Sequence, residues 1–261
     1  TRRGRTGKRG ALAGERWLEN DLLRAEFNER GELTSLFDKE SGREMMAAPG
    51  NQFRLYKDVP NKYDAWDLDS MLEQSAVATP ELAAFEVIKS SPLVAKLRLT
   101  RKLAHSSLTQ VVSLRRGSRR IDFETTVDWQ ESHRCLKVAF PVTIHADEAI
   151  HEIQFGHLRR PTHRSRPYDA DRFEVCNHKW SALAEENRGA ALLNDCKYGH
   201  KIKDGVLDLN LLRSAPYSGW RLVEDADVIP GEPHDAYTDQ CDHDVTYALF
   251  PQAGDAIAGN V

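Results

Sequence analysis

Residues 121–129 read Ile121-Asp122-Phe123-Glu124-Thr125-Thr126-Val127-Asp128-Trp129, and this stretch decides the fold. Its odd positions carry Ile, Phe, Thr, Val and Trp; its even positions carry Asp, Glu, Thr and Asp. Successive side chains on a strand point to opposite faces, so the stretch has one apolar face and one wet face. Helical spacing would mix the two sets on every side. The reading is a half-buried strand of the kind antiparallel sheets use.

The same period continues outward. Leu93, Ala95, Leu97 and Leu99 alternate with Val94, Lys96, Arg98 and Thr100. Leu108, Val112 and Leu114 share a parity, and so do Leu136, Val138 and Phe140, with Lys137 and Ala139 between. The gaps RRGSRR (115–120) and QESHR (130–134) are turn-like. Strands joined by such short turns predict an antiparallel meander. Residues 22–27 and 32–37 suggest a hairpin around Asn28-Glu29-Arg30-Gly31. Segments 52–56, 85–88, 150–155, 190–193, 206–212 and 245–250 are further strand candidates, and only 181–187 suggests a helical turn. No internal repeat is visible. Many antiparallel strands in one chain predict an all-β sandwich or supersandwich. The polar stretches 157–172 and 223–243 read as excursions from the sheets, and such loops often carry function.

The chain has 261 residues, 40% apolar and 29% charged, which is a globular composition. Its net charge of -4 gives no global attraction to nucleic acid. Arg2, Arg3, Arg5, Lys8 and Arg9 crowd the start without an acid among them. Residues 1–17 are therefore expected to be a basic flexible linker ahead of a β domain over 18–261. No apolar run is long enough to span a bilayer, and the N-terminus lacks the apolar segment of a signal peptide. Cys135, Cys176, Cys196 and Cys241 are scattered without a Cys-x-x-Cys pair. That pattern predicts reduced thiols and a cytoplasmic setting.

Three chemistries find little support. His151, His157 and His163 recur every six residues, which spaces them about 20 Å apart on a strand. Cys241-Asp242-His243-Asp244 holds ligand types but has no partner pair at zinc-like spacing, so no metal site is expected in this chain. There is no Gly-x-Ser-x-Gly elbow, catalytic cysteine signature or phosphate loop. Arg115, Arg116, Arg119 and Arg120 read as a solvated hairpin end.

The stretch NKYDAWDLD (61–69) is different. Two aromatics and three aspartates sit among strands, where aspartate is depleted. One reading is a structured loop with its tryptophan tucked beneath a sheet. The other is a sugar site: an indole stacks on the apolar face of a pyranose, and carboxylates accept hydrogen bonds from its hydroxyls. If the stretch is extended, Asp67 and Asp69 point one way and Asp64 with Trp66 the other.

Several segments together resemble the C-terminal β region of glycoside hydrolase family 38, the α-mannosidases. They are LENDLLRAEFNERGELTSLFDKESGRE (18–44), YDAWDLD (63–69), GHLRRPTH (156–163), FEVCNHKW (173–180), LLNDCKYGH (192–200) and DHDVTYALFP (242–251). They stand in family order. The sequence departs from the family pattern at Ser70-Met71-Leu72, at Ser181 to Glu185 and at Arg166-Pro167-Tyr168-Asp169.

The resemblance implies a galactose-mutarotase-like supersandwich that forms the C-terminal part of a retaining exo-α-mannosidase. It also implies that the zinc ion, the nucleophile and the acid/base carboxylate lie upstream, in α/β and helical domains of the same polypeptide. This segment would then contain no catalytic residue and be inactive alone. It would line the sugar pocket with Tyr63, Asp64, Trp66 and Asp67, where Asp64 or Asp67 binds hydroxyls and Trp66 forms an apolar wall. Arg213, in Leu212-Arg213-Ser214, is a further substrate-binding candidate, and Asn194-Asp195 with Lys197 and Tyr198 is another. The expected partners are an α-mannoside and the upstream domains, with no nucleic acid and no membrane; a homo-oligomer is compatible with the reading. The alternatives are a stand-alone carbohydrate-binding module on the Tyr63 and Trp66 platform, and a mutarotase-type epimerase using His157 or His178.

Overall fold

The computed structural model describes residues 10–60, 62–217 and 237–254. Its first five strands, β1 (Leu12–Gly14), β2 (Trp17–Glu19), β3 (Leu23–Phe27), β4 (Leu33–Asp38) and β5 (Arg43–Glu44), form one sheet in chain order. Then follow β6 (Gln52–Lys57), β7 (Ala76–Ala78), β8 (Glu81–Ser90), β9 (Val94–Leu103), β10 (Ser106–Arg115), β11 (Ile121–Asp128) and β12 (Arg134–Pro141). The remaining strands are β13 (Glu148–Ile153), β14 (Gly156–Pro161), β15 (Val175–Cys176), β16 (Trp180–Glu185), β17 (Arg188–Asn194), β18 (Gly199–Lys203), β19 (Val206–Arg213) and β20 (Asp242–Gln252). A nine-stranded sheet runs β14-β13-β16-β17-β20-β11-β10-β9-β8, and a six-stranded sheet runs β15-β18-β19-β12-β6-β7. The pairings are antiparallel, as in β10 with β11 and β12 with β19. Among the described residues helix is confined to α1 (Pro167–Asp171) and a 3-10 turn at Leu72–Ser75.

The opening stretch is β11, in the middle of the largest sheet. Ile121, Phe123, Val127 and Trp129 are all fully buried. The Phe123 ring lies 5.3 Å from Tyr247 on β20 and 5.5 Å from Phe140 on β12, which joins the two large sheets into one core. Thr125 is the polar member of the inward set, and its hydroxyl has a partner. The Gln110 amide donates to Thr125 Oγ1 at 2.9 Å and to the Tyr247 hydroxyl at 2.7 Å. Asn51 closes the knot by donating to Gln110 Oε1 at 2.7 Å. A buried polar group with its bonds made costs little, and one without them costs a great deal. On the outer face Asp122 is also buried, held 2.6 Å from Arg120 Nε.

The predicted meander needs one correction. Strands β8 to β11 do form it, but β12 crosses to the six-stranded sheet and pairs with β6 and β19. The free side of β11 is taken by β20, from Ile121 opposite Leu249 to Asp128 opposite Asp242. β12 is covered on both faces, and Lys137, on its seemingly wet side, is buried and paired with Glu174. Two other expectations change. Residues 181–187 extend as β16 and its turn, not as a helix. The linker expected over 1–17 stops short of Leu12, because β1 and the start of β2 occupy 12–17; residues 1–9 lie outside the described residues. The excursion at 157–172 contains β14 and α1, and most of the one at 223–243 lies outside the described residues.

Candidate functional site

The loop 58–71 leaves the end of β6 at one edge of the sandwich. It is a turn rather than an extended segment. The Tyr63 carbonyl accepts from the amides of Trp66 and Asp67, both at 2.8 Å, and Tyr63 itself sits in the left-handed region at φ 55°. Asp69 Oδ1 accepts from the Met71 amide at 2.7 Å and starts the 3-10 turn. Leu68 and Leu72 pack under the loop against Tyr56 and Cys135.

Arg213, at the end of β19, fastens the loop from within. Its Nε and Nη2 hold the carboxylate of Asp58, which is fully buried. The same guanidinium donates to the carbonyls of Asp64 at 2.9 Å and Ala65 at 3.4 Å, and to that of Asp67. Burial raises the Asp58 carboxyl pKa, and the Arg213 charge works against that rise. A planar fork can make such a set of contacts at once, whereas an ammonium cannot.

Asp64 is only 2% exposed. Its Oδ2 lies 2.8 Å from His133 Nε2, and the other ring nitrogen of His133 lies 3.3 Å from the Tyr237 hydroxyl. The His133 and Tyr237 rings meet edge to face at 5.0 Å. Asp64 Oδ1 is buried without a hydrogen-bond partner among the described residues. The outer surface of the loop is aromatic: Tyr63 is 63% exposed and Trp66 61%. Asp67 is exposed beside them, with its Oδ1 accepting from the Leu68 amide at 2.9 Å.

The nominated residues thus divide. Tyr63, Trp66 and Asp67 face outward, where a ligand can reach them. Asp64 is buried with its Oδ2 on His133, and Arg213 is partly buried with its guanidinium tied to Asp58 and to the loop carbonyls. The extended geometry, which paired Asp64 with Trp66 on one face, is replaced by a turn that sends Asp64 in and Trp66 out. The second nominated group is tied into the backbone around it. Asn194 donates to the His178 carbonyl at 2.8 Å and accepts from the Lys197 amide at 2.7 Å, and Asp195 accepts from the Thr246 amide at 3.1 Å. Tyr198 is half exposed against the ring of His178, 5.4 Å away. Asp58, His133 and Tyr237 escaped the sequence reading. No local motif marks them: Asp58 follows β6, His133 precedes β12, and Tyr237 bridges Pro216 beyond the end of β19.

No group of three or more His, Cys, Asp and Glu among the described residues is placed to hold a metal ion. The residues described here do not fit a zinc site.

Comparison with known proteins gives a consistent result. The family model for the glycosyl hydrolases family 38 C-terminal domain matches residues 18–221. Alpha-mannosidase 2C1 of Homo sapiens is 40% identical over 241 residues, covering 91% of this chain and 22% of its own length. The alpha-mannosidase of Saccharomyces cerevisiae is 34% identical over 230 residues, covering 83% of this chain and 19% of its own length. The solved structure of an alpha-mannosidase from Enterococcus faecalis V583 superposes with a TM-score of 0.74 at 15% identity, over 94% of this chain and 30% of that one. At that identity the likeness concerns the fold. The chain spans about a fifth of the length of the curated relatives it matches.

Proposed function

The chain belongs to the glycosyl hydrolases family 38, whose C-terminal domain it carries, and from that premise we propose that it is the β domain of a longer, retaining exo-α-mannosidase. That enzyme removes terminal α-mannosyl residues from glycans. This segment supplies one wall of the sugar pocket and supports catalytic domains located upstream in the same polypeptide. The observation that carries the reading is the loop 62–71, which holds Tyr63 and Trp66 out to solvent while Arg213 ties its carbonyls from beneath. Exposed aromatic faces on an ordered loop offer stacking area at little entropic cost. Asp67 adds an accessible carboxylate for sugar hydroxyls. Asp64 acts through His133 and orients the loop.

The zinc ion that family resemblance implies is assigned to the rest of the polypeptide, and no step is derived through it. The four free cysteines support a reducing, cytoplasmic setting. The test is an assay of aryl α-mannoside hydrolysis by the longer protein and by this segment alone. The reading predicts turnover by the longer protein, with β-mannoside and α-glucoside controls near background, and none by the segment. Turnover by the isolated segment, or none by a folded longer protein, contradicts it.

A further inference from the structure

Arg160 lies on β14, opposite Ala149 of β13, at the edge of the nine-stranded sheet. It lines a small cavity of about 40 Å³ whose other charged and titratable walls are His151 on β13, Asp169, Arg172 and Lys201 on β18. Its Nη1 is buried and has no hydrogen-bond partner among the described residues. Across the cavity the Arg172 guanidinium rests 5.5 Å from the ring of Tyr168. Among the described residues, no carboxylate pairs with either arginine. The nearby acids are already engaged. Asp169 accepts from Arg166 at 2.7 and 3.1 Å, and Glu73 pairs with Lys201. Burial pulls the Arg160 pKa down, and the like charge of Arg172 adds to that effect.

Arg160 is partly exposed and Arg172 exposed, so the cost falls on Arg160 Nη1, a guanidinium N–H withdrawn from water with no acceptor. A guanidinium fork is shaped to take two oxygens of one oxyanion. A single water needs roughly 10–15 Å³ of such space. The cavity therefore suits a group the size of a phosphate or a carboxylate, and a sugar ring does not fit.

We propose that Arg160 and Arg172 form a binding site for a small oxyanion, phosphate or carboxylate, between the β13–β14 hairpin and the segment that follows α1. The site is separate from the aromatic loop and does not depend on the sugar reading. It accounts for the buried Arg160 Nη1 left without an acceptor, since the Asp169 carboxylate on the cavity wall is taken by Arg166.

The experiment is thermal unfolding of the chain in chloride buffer, titrated with inorganic phosphate at constant ionic strength. The wild type gains melting temperature with saturation in the millimolar range. Arg160→Met gains none, and in phosphate-free buffer it is at least as stable as the wild type, because it removes an unpaired cation. Arg160→Lys keeps the charge without the fork and responds more weakly. The proposal is overturned by a wild type indifferent to phosphate, by an equal response in Arg160→Met, or by a loss of stability in Arg160→Met without phosphate. The same titration on the longer protein identifies the source. A response in both proteins assigns the site to free phosphate. A response in the segment alone assigns it to a carboxylate from elsewhere in the polypeptide.

Discussion

Replacing Arg213 by Ala leaves Asp58 charged, buried and alone. Removing one partner of a buried pair costs about 3–5 kcal/mol, and the loop loses the donor that ties the Asp64, Ala65 and Asp67 carbonyls. Arg213→Ala should therefore lower the urea midpoint sharply, while Asp58→Asn with Arg213→Gln, which removes both charges, should lower it less. Equal losses in the two proteins would mean that the charge pair does not fix the loop. His151 and His200 make a second residue-scale prediction. They are buried against one another at 3.0 Å. Burial, with a smaller effect of the Arg160 charge, holds His151 at about 3, and burial with the neighbouring His151 holds His200 well below its ordinary value. Below pH 6.5 the unfolded chain takes up protons that the folded one refuses. Stability is then full above pH 6.5 and falls as the pH drops toward 3, by about 1.4 kcal/mol per pH unit for His151, with His200 acting in the same direction. Urea midpoints at pH 7, 6, 5 and 4 measure the slope, and His151→Gln should flatten it. The outward set Tyr63, Trp66 and Asp67 was legible as chemistry in the sequence. The inward turn of Asp64 was not, because it depends on Arg213, 149 residues away in the chain.

The hairpin of β13 and β14 shows what an element can carry against its own preference. Phe155 at its tip is fully exposed and sits at φ 61°. The left-handed region costs a side chain with a Cβ about 1–2 kcal/mol, and an exposed ring gains nothing from burial in return. Phe155→Gly should raise the stability of the chain by about 1 kcal/mol, read as a higher urea midpoint. A lower midpoint would show that the ring is packed. Strand identity itself was legible: β3, β4, β6, β9, β10, β11, β17, β19 and β20 all fall where alternation placed them. The sheet each strand joins was not. Alternation records which face is wet, and it is silent on which neighbour lies alongside. That is why β12 was grouped with β11, although β20, more than a hundred residues later, holds that edge. Residues 181–187 misled for a related reason. β16 has buried residues at Ser181, Ala182 and Leu183 in succession, so no period of two marks it.

At the scale of the whole molecule, two large sheets share one core through Phe123, Phe140 and Tyr247, and their strand ends bring Asp58, His133 and Arg213 under a single loop. The sandwich is thus a frame that turns residues far apart in sequence into one rigid mount. The supersandwich class was readable from periodicity, and the family from motifs in order. The mount was not readable, because no motif spans its parts. The central claim is that this mount presents Trp66 to a sugar. The most direct test is steady-state hydrolysis of an aryl α-mannoside by the longer protein carrying Trp66→Ala, with its melting temperature recorded alongside. The account predicts an unchanged melting temperature and a kcat/KM about tenfold lower, which corresponds to roughly 1.4 kcal/mol of lost transition-state stabilisation. Unaltered kinetics in a folded Trp66→Ala protein would contradict it.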